Sequence, residues 1–392
     1  MFERLAPAAP DALLALIKLH AADERSDKID LGVGVYRTGQ GGTPVFGAIK
    51  AAEARLVETQ DSKSYLGPEG DMGFVEALMP YVFGEDDPTM GGRVAGMQAR
   101  GGTGAVRLAV ALAKAAGVTR VHLGVPSWPN HAQILADLPL EMAAFDHDCD
   151  DGTANVEALL EVIRNAGDHE AVILHGCCHN PTGIDYTPDQ WRQIAEALST
   201  SKILPIIDLA YHGLGQGMEE DAAGMRAVLA AVPEALVAYS CDKNFGLYRD
   251  RVGAFYVMAR EADALPAIMS NAAALARANW SMPPDHGAAA VRLVLEDPKL
   301  TSQWQDELET MRTRMRQVRE RLAAAGHVGS LDLTPLATQN GLFSMLALDK
   351  DQIARLRADH GVYMAGSGRI NVAGLTQGNI DKFIAALAEV AG

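Results

Sequence analysis

Residues 171–213, AVILHGCCHNPTGIDYTPDQWRQIAEALSTSKILPIIDLAYHG, contain the pattern that decides the fold. Two short apolar runs, 171–176 and 203–208, have the length and β-branched content of buried strands. Between them, residues 188–199 place apolar side chains at helical spacing. A strand, a helix and a second strand in this order predict a βαβ unit whose strands are parallel.

The same alternation continues on both sides of this unit. Further strands are predicted at 121–126, 235–240 and 252–258, and further helices at 104–116 and 154–165. Residues 44–308 are therefore predicted to form a large α/β domain, with a mostly parallel sheet flanked by helices. Ligands of such sheets bind outside the carboxyl ends of the strands.

The remaining segments are predicted to form a smaller α/β domain. A short helix is predicted at 11–20, and a long charged helix begins near residue 297. Residues 11–43 and 309–392 each have too few apolar side chains for a core of their own, so we expect them to fold together. The Pro- and Ala-rich residues 1–10 are predicted to be an N-terminal arm.

Composition excludes several classes of function. The 392 residues include 34 Lys and Arg against 50 Asp and Glu, a formal charge of −16, which disfavours binding to nucleic acids and anionic membranes. Four cysteines, no signal peptide and no long apolar run predict a cytoplasmic protein. The motif Cys177-Cys178-His179 lacks the second ligand pair of a metal site, so no metal is predicted.

Two segments suit a phosphate group. Gly101, Gly102 and Thr103 precede a predicted helix, where free N–H groups favour an anion, although a plain glycine turn fits equally. Ser240 and Arg251 flank a second segment, and a hydroxyl and a guanidinium both bind phosphate.

Lys243 lies between Ser240 and Arg251, where it could form a Schiff base with an aldehyde. The alternative is a surface lysine flanked by surface arginines.

Polar side chains also follow the other predicted strands. Asp208 ends an apolar strand, where it needs a cationic partner such as a protonated pyridine nitrogen, or else caps a helix. Tyr211 and Asn180 could donate hydrogen bonds at the same edge, although Asn180 also suits a turn. Trp128, between two prolines, could stack on a planar ring or pack in the core.

The order and spacing of these motifs resemble the class I, fold-type I aminotransferases, specifically those for aspartate and aromatic amino acids. The resemblance extends over nearly the whole chain, from DLGVGVY through HGCCHNPTG and KNFGLY to SGRINVAG. It implies a pyridoxal 5′-phosphate (PLP)-dependent transferase fold and ping-pong amino-group transfer between L-aspartate or aromatic L-amino acids and 2-oxoglutarate. A β-lyase or decarboxylase on the same fold is the alternative. A non-catalytic protein is disfavoured because Lys243 and Asp208 are both present.

The resemblance also implies roles at the cofactor. Lys243 would form the Schiff base and move the substrate proton. Asp208, supported by His131, would keep the pyridine nitrogen protonated. The other implied cofactor contacts are Asn180 and Tyr211 at the phenolate oxygen, Trp128 on the ring face, and Gly101, Gly102, Thr103, Ser240 and Arg251 around the phosphate.

Substrate residues and a homodimer are implied in the same way. Arg369 would bind the substrate α-carboxylate, with Gly34 and Phe343 beside the substrate. Tyr65 and Arg277 would each reach the active site of the neighbouring subunit, so the active sites would be shared. One departure is Asp242, which precedes the lysine where the family commonly has Ser.

Overall fold

The structure is a computed structural model that describes residues 2–6, 12–84, 91–149 and 151–392. The rest of the predicted N-terminal arm lies outside the described residues. Contacts divide the chain into two compact units, one of Pro44–Thr313 and one of Met1–Thr43 with Arg314–Gly392. We call them the large and the small unit; the division into functional domains at the predicted boundaries stays a prediction.

Strands and helices occur in both units. The strands are β1 (Ile29–Asp30), β2 (Val94–Arg100), β3 (Arg120–Val125), β4 (Glu141–Asp146), β5 (Glu170–His175), β6 (Leu204–Leu209), β7 (Ala235–Ser240), β8 (Val252–Met258), β9 (His327–Val328), β10 (Leu331–Asp332), β11 (Phe343–Met345), β12 (Val362–Tyr363) and β13 (Arg369–Asn371). The helices are α1 (Ala12–Ala22), α2 (Gly47–Thr59), α3 (Met72–Phe83), α4 (Gly101–Ala115), α5 (Pro129–Asp137), α6 (Val156–Asn165), α7 (Pro188–Thr200), α8 (Met218–Ala231), α9 (Leu265–Trp280), α10 (His286–Glu296), α11 (Pro298–Ala323), α12 (Lys350–His360) and α13 (Ile380–Ala391).

A seven-stranded sheet forms the centre of the large unit, in the order β2-β8-β7-β6-β5-β3-β4. Only β8 runs antiparallel to the other strands of this sheet. The α/β prediction is confirmed, and β7 and β8 have the bounds that the sequence predicted. β2 and β4 were not predicted; the β4 sequence, EMAAFD, contains no β-branched residue.

Helix α4 is central to the core of the large unit. It packs against β6, β7 and β8, and ten of its residues are buried. Its apolar face meets strand residues such as Ile206, Ala238 and Phe255. This packing fixes the first turn of α4 relative to the carboxyl ends of the parallel strands.

The small unit contains short strand pairs and helices. β1 pairs in parallel with β12, and β11 pairs antiparallel with β13. Helices α12 and α13 contact each other through buried side chains that include Leu356, Phe383 and Leu387. The predicted smaller α/β part of the fold is therefore confirmed.

Helix α11 is 26 residues long and begins within one residue of the position that the charge pattern predicted. In the large unit it buries Trp304, Leu308 and Met311, which are three or four residues apart and so share a face. Across the described part of the chain, no helix combines the length and the apolar composition needed to cross a membrane.

Candidate active site

The candidate site of the large unit lies at the carboxyl ends of β5, β6 and β7. Asp208 on β6 pairs in register with His175, the last residue of β5. Lys243 follows β7 by three residues, and its Nζ lies 5.2 Å from the centroid of the Tyr211 ring. Parallel strands that end at one edge thus bring residues from separate sequence motifs together, as predicted.

Asp208 is 5% exposed, and among the described residues only one of its two carboxylate oxygens has a hydrogen-bond partner. Its Oδ2 lies 2.9 Å from Nε2 of the fully buried His131 on α5. Its Oδ1 is buried and has no hydrogen-bond partner among the described residues. Leaving such an acceptor unpaired is costly, so a further donor, such as the protonated nitrogen of an aromatic ring, fits here.

A chain of hydrogen bonds continues outward from Asp208. Ser127 Oγ lies 3.0 Å from Nδ1 of His131 and 3.0 Å from Nε2 of His175. Burial lowers the pKa of His175 well below its usual range, so this imidazole is neutral. No sequence motif pointed to Ser127 or His175, although both lie at or just after the carboxyl ends of β3 and β5.

Lys243 lies among groups of both charge signs. Burial lowers the pKa of its ammonium group, whereas the carboxylates of Asp242 and Asp208 act in the opposite direction. A lowered pKa favours the neutral amine, which is both a nucleophile and a proton acceptor.

Glycines at the start of α4 form part of a pocket for an anion. Helix α4 begins at Gly101, so residues 101–103 form its first turn, which corrects the predicted start at residue 104. A Cβ added to Gly101 would lie 2.8 Å from Arg251 Nη2, and one added to Gly102 would lie 2.9 Å from Ser240 Cβ. Arg251 Nη2 also donates to Thr103 Oγ1 at 3.5 Å. We call Gly101, Gly102, Thr103, Ser240 and Arg251 the anion cradle, because helix-start N–H groups, a hydroxyl and a guanidinium converge there.

Asp242 adds a carboxylate to this pocket. Its Oδ1 accepts from the backbone N–H of Val252 at 3.1 Å, and its Oδ2 forms an ion pair with Arg251 Nη1. The residue is 1% exposed. Burial raises the pKa of Asp242, and the neighbouring Lys243 and Arg251 oppose that rise.

The other predicted cofactor contacts surround the same strand ends. Trp128 immediately precedes α5, and its ring meets that of His131 edge-on, with centroids 5.1 Å apart. Asn180 is 5% exposed, and its Oδ1 has no hydrogen-bond partner within the described ranges. The loop after β5 reaches the loop after β6, where Cys178 Sγ lies 3.9 Å from the Tyr211 carbonyl oxygen.

The predicted substrate residues of the small unit lie together. Arg369 Cζ lies 4.4 Å from the centroid of the Phe343 ring, and its Nη2 donates to the Gly32 carbonyl at 3.1 Å. A Cβ on Gly34 would lie 2.7 Å from Phe343 Cζ, so any larger residue here would require the Phe343 ring to shift. Arg319, which no sequence motif pointed to, donates to the Phe343 carbonyl at 2.7 Å and fixes its strand.

Two predicted site residues lie at the surface of the large unit. Tyr65 is 93% exposed. Arg277 on α9 is exposed and donates to Ser281 Oγ at 2.8 Å. Neither side chain is buried with the Lys243 cluster of its own chain.

The cysteine pair meets a carboxylate. One ligand atom from each of Cys177, Cys178 and Asp221 lies within 4.8 Å of the others. Asp221 accepts three backbone hydrogen bonds of 2.8 to 2.9 Å from residues 213, 215 and 216, which closes that loop. The adjacent Cys178 and burial raise the pKa of the Cys177 thiol well above its usual range, which disfavours the thiolate that metals bind.

Comparison with known proteins places this geometry in a family. Residues 26–387 match the model of the aminotransferase class I and II family. A tyrosine aminotransferase of Rhizobium meliloti is 48% identical over 100% of this chain and 99% of its own, and an aspartate aminotransferase of Escherichia coli is 40% identical over 100% of both. The structure of an aromatic-amino-acid aminotransferase from Burkholderia pseudomallei, covalently bound to pyridoxal phosphate, matches 100% of both chains with a TM-score of 0.95 and 35% identity. This chain therefore belongs to the class I and II aminotransferases, and its activity is amino-group transfer.

Proposed function

We propose that this aminotransferase uses PLP to exchange amino groups between aspartate or aromatic L-amino acids and 2-oxoglutarate. The observation that supports this most directly is the buried Asp208 Oδ1, which has no donor within the described structure. It belongs to the same cluster as Lys243, and the loop after Lys243 leads to the anion cradle. A protonated pyridine, an aldehyde and a phosphate are the three groups that this arrangement suits.

The residues that would hold the cofactor follow from these contacts. Lys243 would bind its aldehyde carbon, Asp208 its ring nitrogen and the anion cradle its phosphate. Asn180 and Tyr211 would donate to its phenolate oxygen, and Trp128 would cover one face of its ring. When bound, PLP supplies an electron sink for the charge left on the substrate when its Cα proton is removed.

The protein groups would then orient the substrate and move one proton. Lys243, whose pKa is lowered by burial, would accept the proton from the substrate Cα and deliver it to the carbon that was the aldehyde carbon of PLP. The hydrogen bonds from Asp208 through His131 and Ser127 to His175 would fix the orientation of the carboxylate.

The substrate class rests on the relatives and on two arginines. Arg369 would bind the α-carboxylate that all amino acid substrates share. Arg277 would pair with the second carboxylate of aspartate or 2-oxoglutarate. The relatives described above act on tyrosine, aspartate and aromatic amino acids, so we expect both classes of donor to react. These relatives favour amino transfer over the β-lyase or decarboxylase alternative.

The test is a half-reaction. The purified protein, loaded with PLP, is mixed with L-aspartate, L-tyrosine or L-phenylalanine in the absence of an oxo acid, and the visible spectrum is followed. We expect the absorbance of bound PLP to give way to that of the pyridoxamine form with each donor, and 2-oxoglutarate to reverse the change. Lys243→Ala should bind PLP without this conversion. Pyruvate and ammonia from a cysteine conjugate, with no conversion by any amino acid, would contradict the proposal.

We also propose a homodimer with shared active sites, since Tyr65 and Arg277 are exposed in one chain. The test mixes Lys243→Ala subunits with Arg277→Ala subunits. A hybrid dimer would contain one intact site, so aspartate turnover should return to about a quarter of the wild-type level after mixing. A mixture no more active than its two components would contradict shared sites.

A cytoplasmic location is the last part of the proposal. The four cysteines are free thiols, which suits a reducing compartment. Fractionation of the source cells with an antibody to the protein tests this location.

A further inference from the structure

Asp242 lies against the anion cradle, although its carboxylate has the same charge sign as the anion. A Cβ added to Gly101 would lie 2.9 Å from Asp242 Oδ2 and 2.8 Å from Arg251 Nη2. Both charged groups therefore face the first turn of α4. Asp242 Oδ2 also pairs with the Arg251 guanidinium, the only charged group of the five cradle residues.

The charges around the anion cradle do not balance once a phosphate is bound. Asp242 already neutralises Arg251, and a bound phosphate dianion would add two negative charges beside the buried Asp242 carboxylate. Like charges in close contact disfavour ionisation of one another, and the carboxylate is the group that can be protonated. A carboxylic acid would also donate a hydrogen bond to the phosphate, as a serine hydroxyl would.

The groups that face Asp242 come from three elements of the fold. Lys243 and the Cys241 thiol lie beside it on the loop after β7, and the Ser240 hydroxyl ends that strand. Arg251 and the Val252 N–H approach from the start of β8. Gly101 approaches from α4. Arg251, and Lys243 when it is protonated, oppose protonation of Asp242 in the absence of phosphate, whereas burial favours it.

We propose that Asp242 is a proton-linked member of the anion cradle, so that phosphate binding is coupled to protonation of this carboxyl group. One proton passes from solvent to a carboxylate oxygen, the ion pair to Arg251 opens, and the guanidinium becomes available to the phosphate oxygens. The assignment of that phosphate to PLP rests on the proposed function, but the coupling holds equally for inorganic phosphate.

The test is titration calorimetry of the PLP-free protein in two buffers with different ionisation enthalpies, which measures protons taken up on binding. The ligands are PLP, inorganic phosphate and pyridoxal, which has no phosphate. The variants are Asp242→Ser, Asp242→Asn and, as a matched control, Asp250→Asn, whose carboxyl lies in the same loop and packs on Gly287. Wild type and the control should take up more protons with PLP and phosphate than the two Asp242 variants do.

The affinity for PLP should depend on pH through the same coupling. At about pH 8 Asp242→Ser should bind PLP about tenfold more tightly than wild type, and the difference should narrow as the pH falls, because protonation of Asp242 then costs less free energy. Ionisation of the phosphate itself affects wild type and variant equally, so it cancels in this comparison. Pyridoxal should show no such pH-dependent difference.

Two outcomes overturn the inference. Equal proton uptake and a constant affinity ratio would mean that Asp242 does not sense the phosphate charge. The same pH dependence with pyridoxal would assign the effect to Lys243 instead. Failure of wild type to bind PLP would contradict the proposed function, whereas the inorganic phosphate titration would still decide the role of Asp242.

Discussion

At the scale of single residues, the Asp208 carboxylate shows how position within a sheet determines chemistry. Asp208→Asn retains the shape of the side chain but loses the negative charge that would hold a proton on the ring nitrogen. We expect kcat/KM for aspartate to fall by about a thousandfold, because the electron sink depends on that charge. Steady-state kinetics with saturating PLP measures this.

The matched control for this variant is Asp146→Asn. Asp146 also ends a strand of the same sheet, but it is exposed at the edge strand β4. Its kcat/KM should stay within about twofold of wild type. Comparable losses in the two variants, or none in Asp208→Asn, would contradict the role given to Asp208.

Arg319 provides a second prediction at this scale. It is 3% exposed and donates to Ser344 Oγ at 2.6 Å and to the carbonyls of Gly341 and Phe343 at 2.9 and 2.7 Å. Arg319→Met should lower the free energy of unfolding by about 3 kcal/mol, because it leaves buried acceptors without donors.

Denaturant titration measures this change, and Arg321→Met on the same helix is the control. The Arg321 side chain is 52% exposed and pairs with Asp381 at 2.5 Å. Such surface pairs contribute less than about 1 kcal/mol. Equal midpoints for the two variants would contradict the importance of the Arg319 contacts.

At the scale of secondary structure elements, α7 and α8 pack closely because of one glycine. A Cβ on Gly224 of α8 would lie 2.4 Å from Nε1 of the Trp191 ring on α7. Alanine is the better helix former by about 1 kcal/mol, but the added methyl must displace a buried ring. We therefore expect Gly224→Ala to be destabilising, by about 2 kcal/mol, in thermal or denaturant unfolding.

The control lies one residue away. Ala223→Gly changes an exposed position of α8, where only helix propensity acts, and should cost about 1 kcal/mol or less. A more stable Gly224→Ala variant would show that propensity outweighs the contact with Trp191.

At the scale of the whole molecule, buried histidines should make the fold sensitive to acid. His147 stacks on His179 with ring centroids 3.6 Å apart, and both are buried. Burial lowers the pKa of His147 and His212 to about 4, and those of His175 and His179 well below the ordinary value of 6.5. Because the folded-state pKa values are depressed, the stability they contribute is fully present above pH 6.5 and is lost as pH falls towards 4.

The expected size is about 3 kcal/mol at pH 4 for each of His147 and His212. Asp221 acts in the opposite direction, since burial raises its pKa to about 6 and its protonation favours the folded state. Because four histidines act against this one carboxyl group, the denaturant midpoint of the wild type should fall between pH 8 and about pH 5. The midpoint of His147→Gln should fall less steeply over the same range. A midpoint that is constant or rises on acidification would contradict this assignment.

The local sequence was sufficient to predict those strands and helices that one clear hydrophobic pattern marks. The apolar runs that became β5, β6, β7 and β8 and the helix α7 were predictable because each signal lies within a dozen residues. β4 was not, since Phe145 is its only residue with a strand preference and its pairing with β3 supplies the stability. The start of α4 was placed three residues late, because Gly101 has a positive φ of 64° and reads locally as a loop.

The sequence by itself determined the α/β pattern and the chemical types of Lys243, Asp208 and Arg251, because these follow from local periodicity and from motifs at strand ends. Only the tertiary structure showed that Ser127 and His175 extend the contacts of Asp208, and that Asp242 pairs with Arg251. The physical reason is that hydrogen bonds and ion pairs join residues that are distant along the chain. Their partners are fixed by the order of strands in the sheet and by the packing of α4, neither of which any single segment contains.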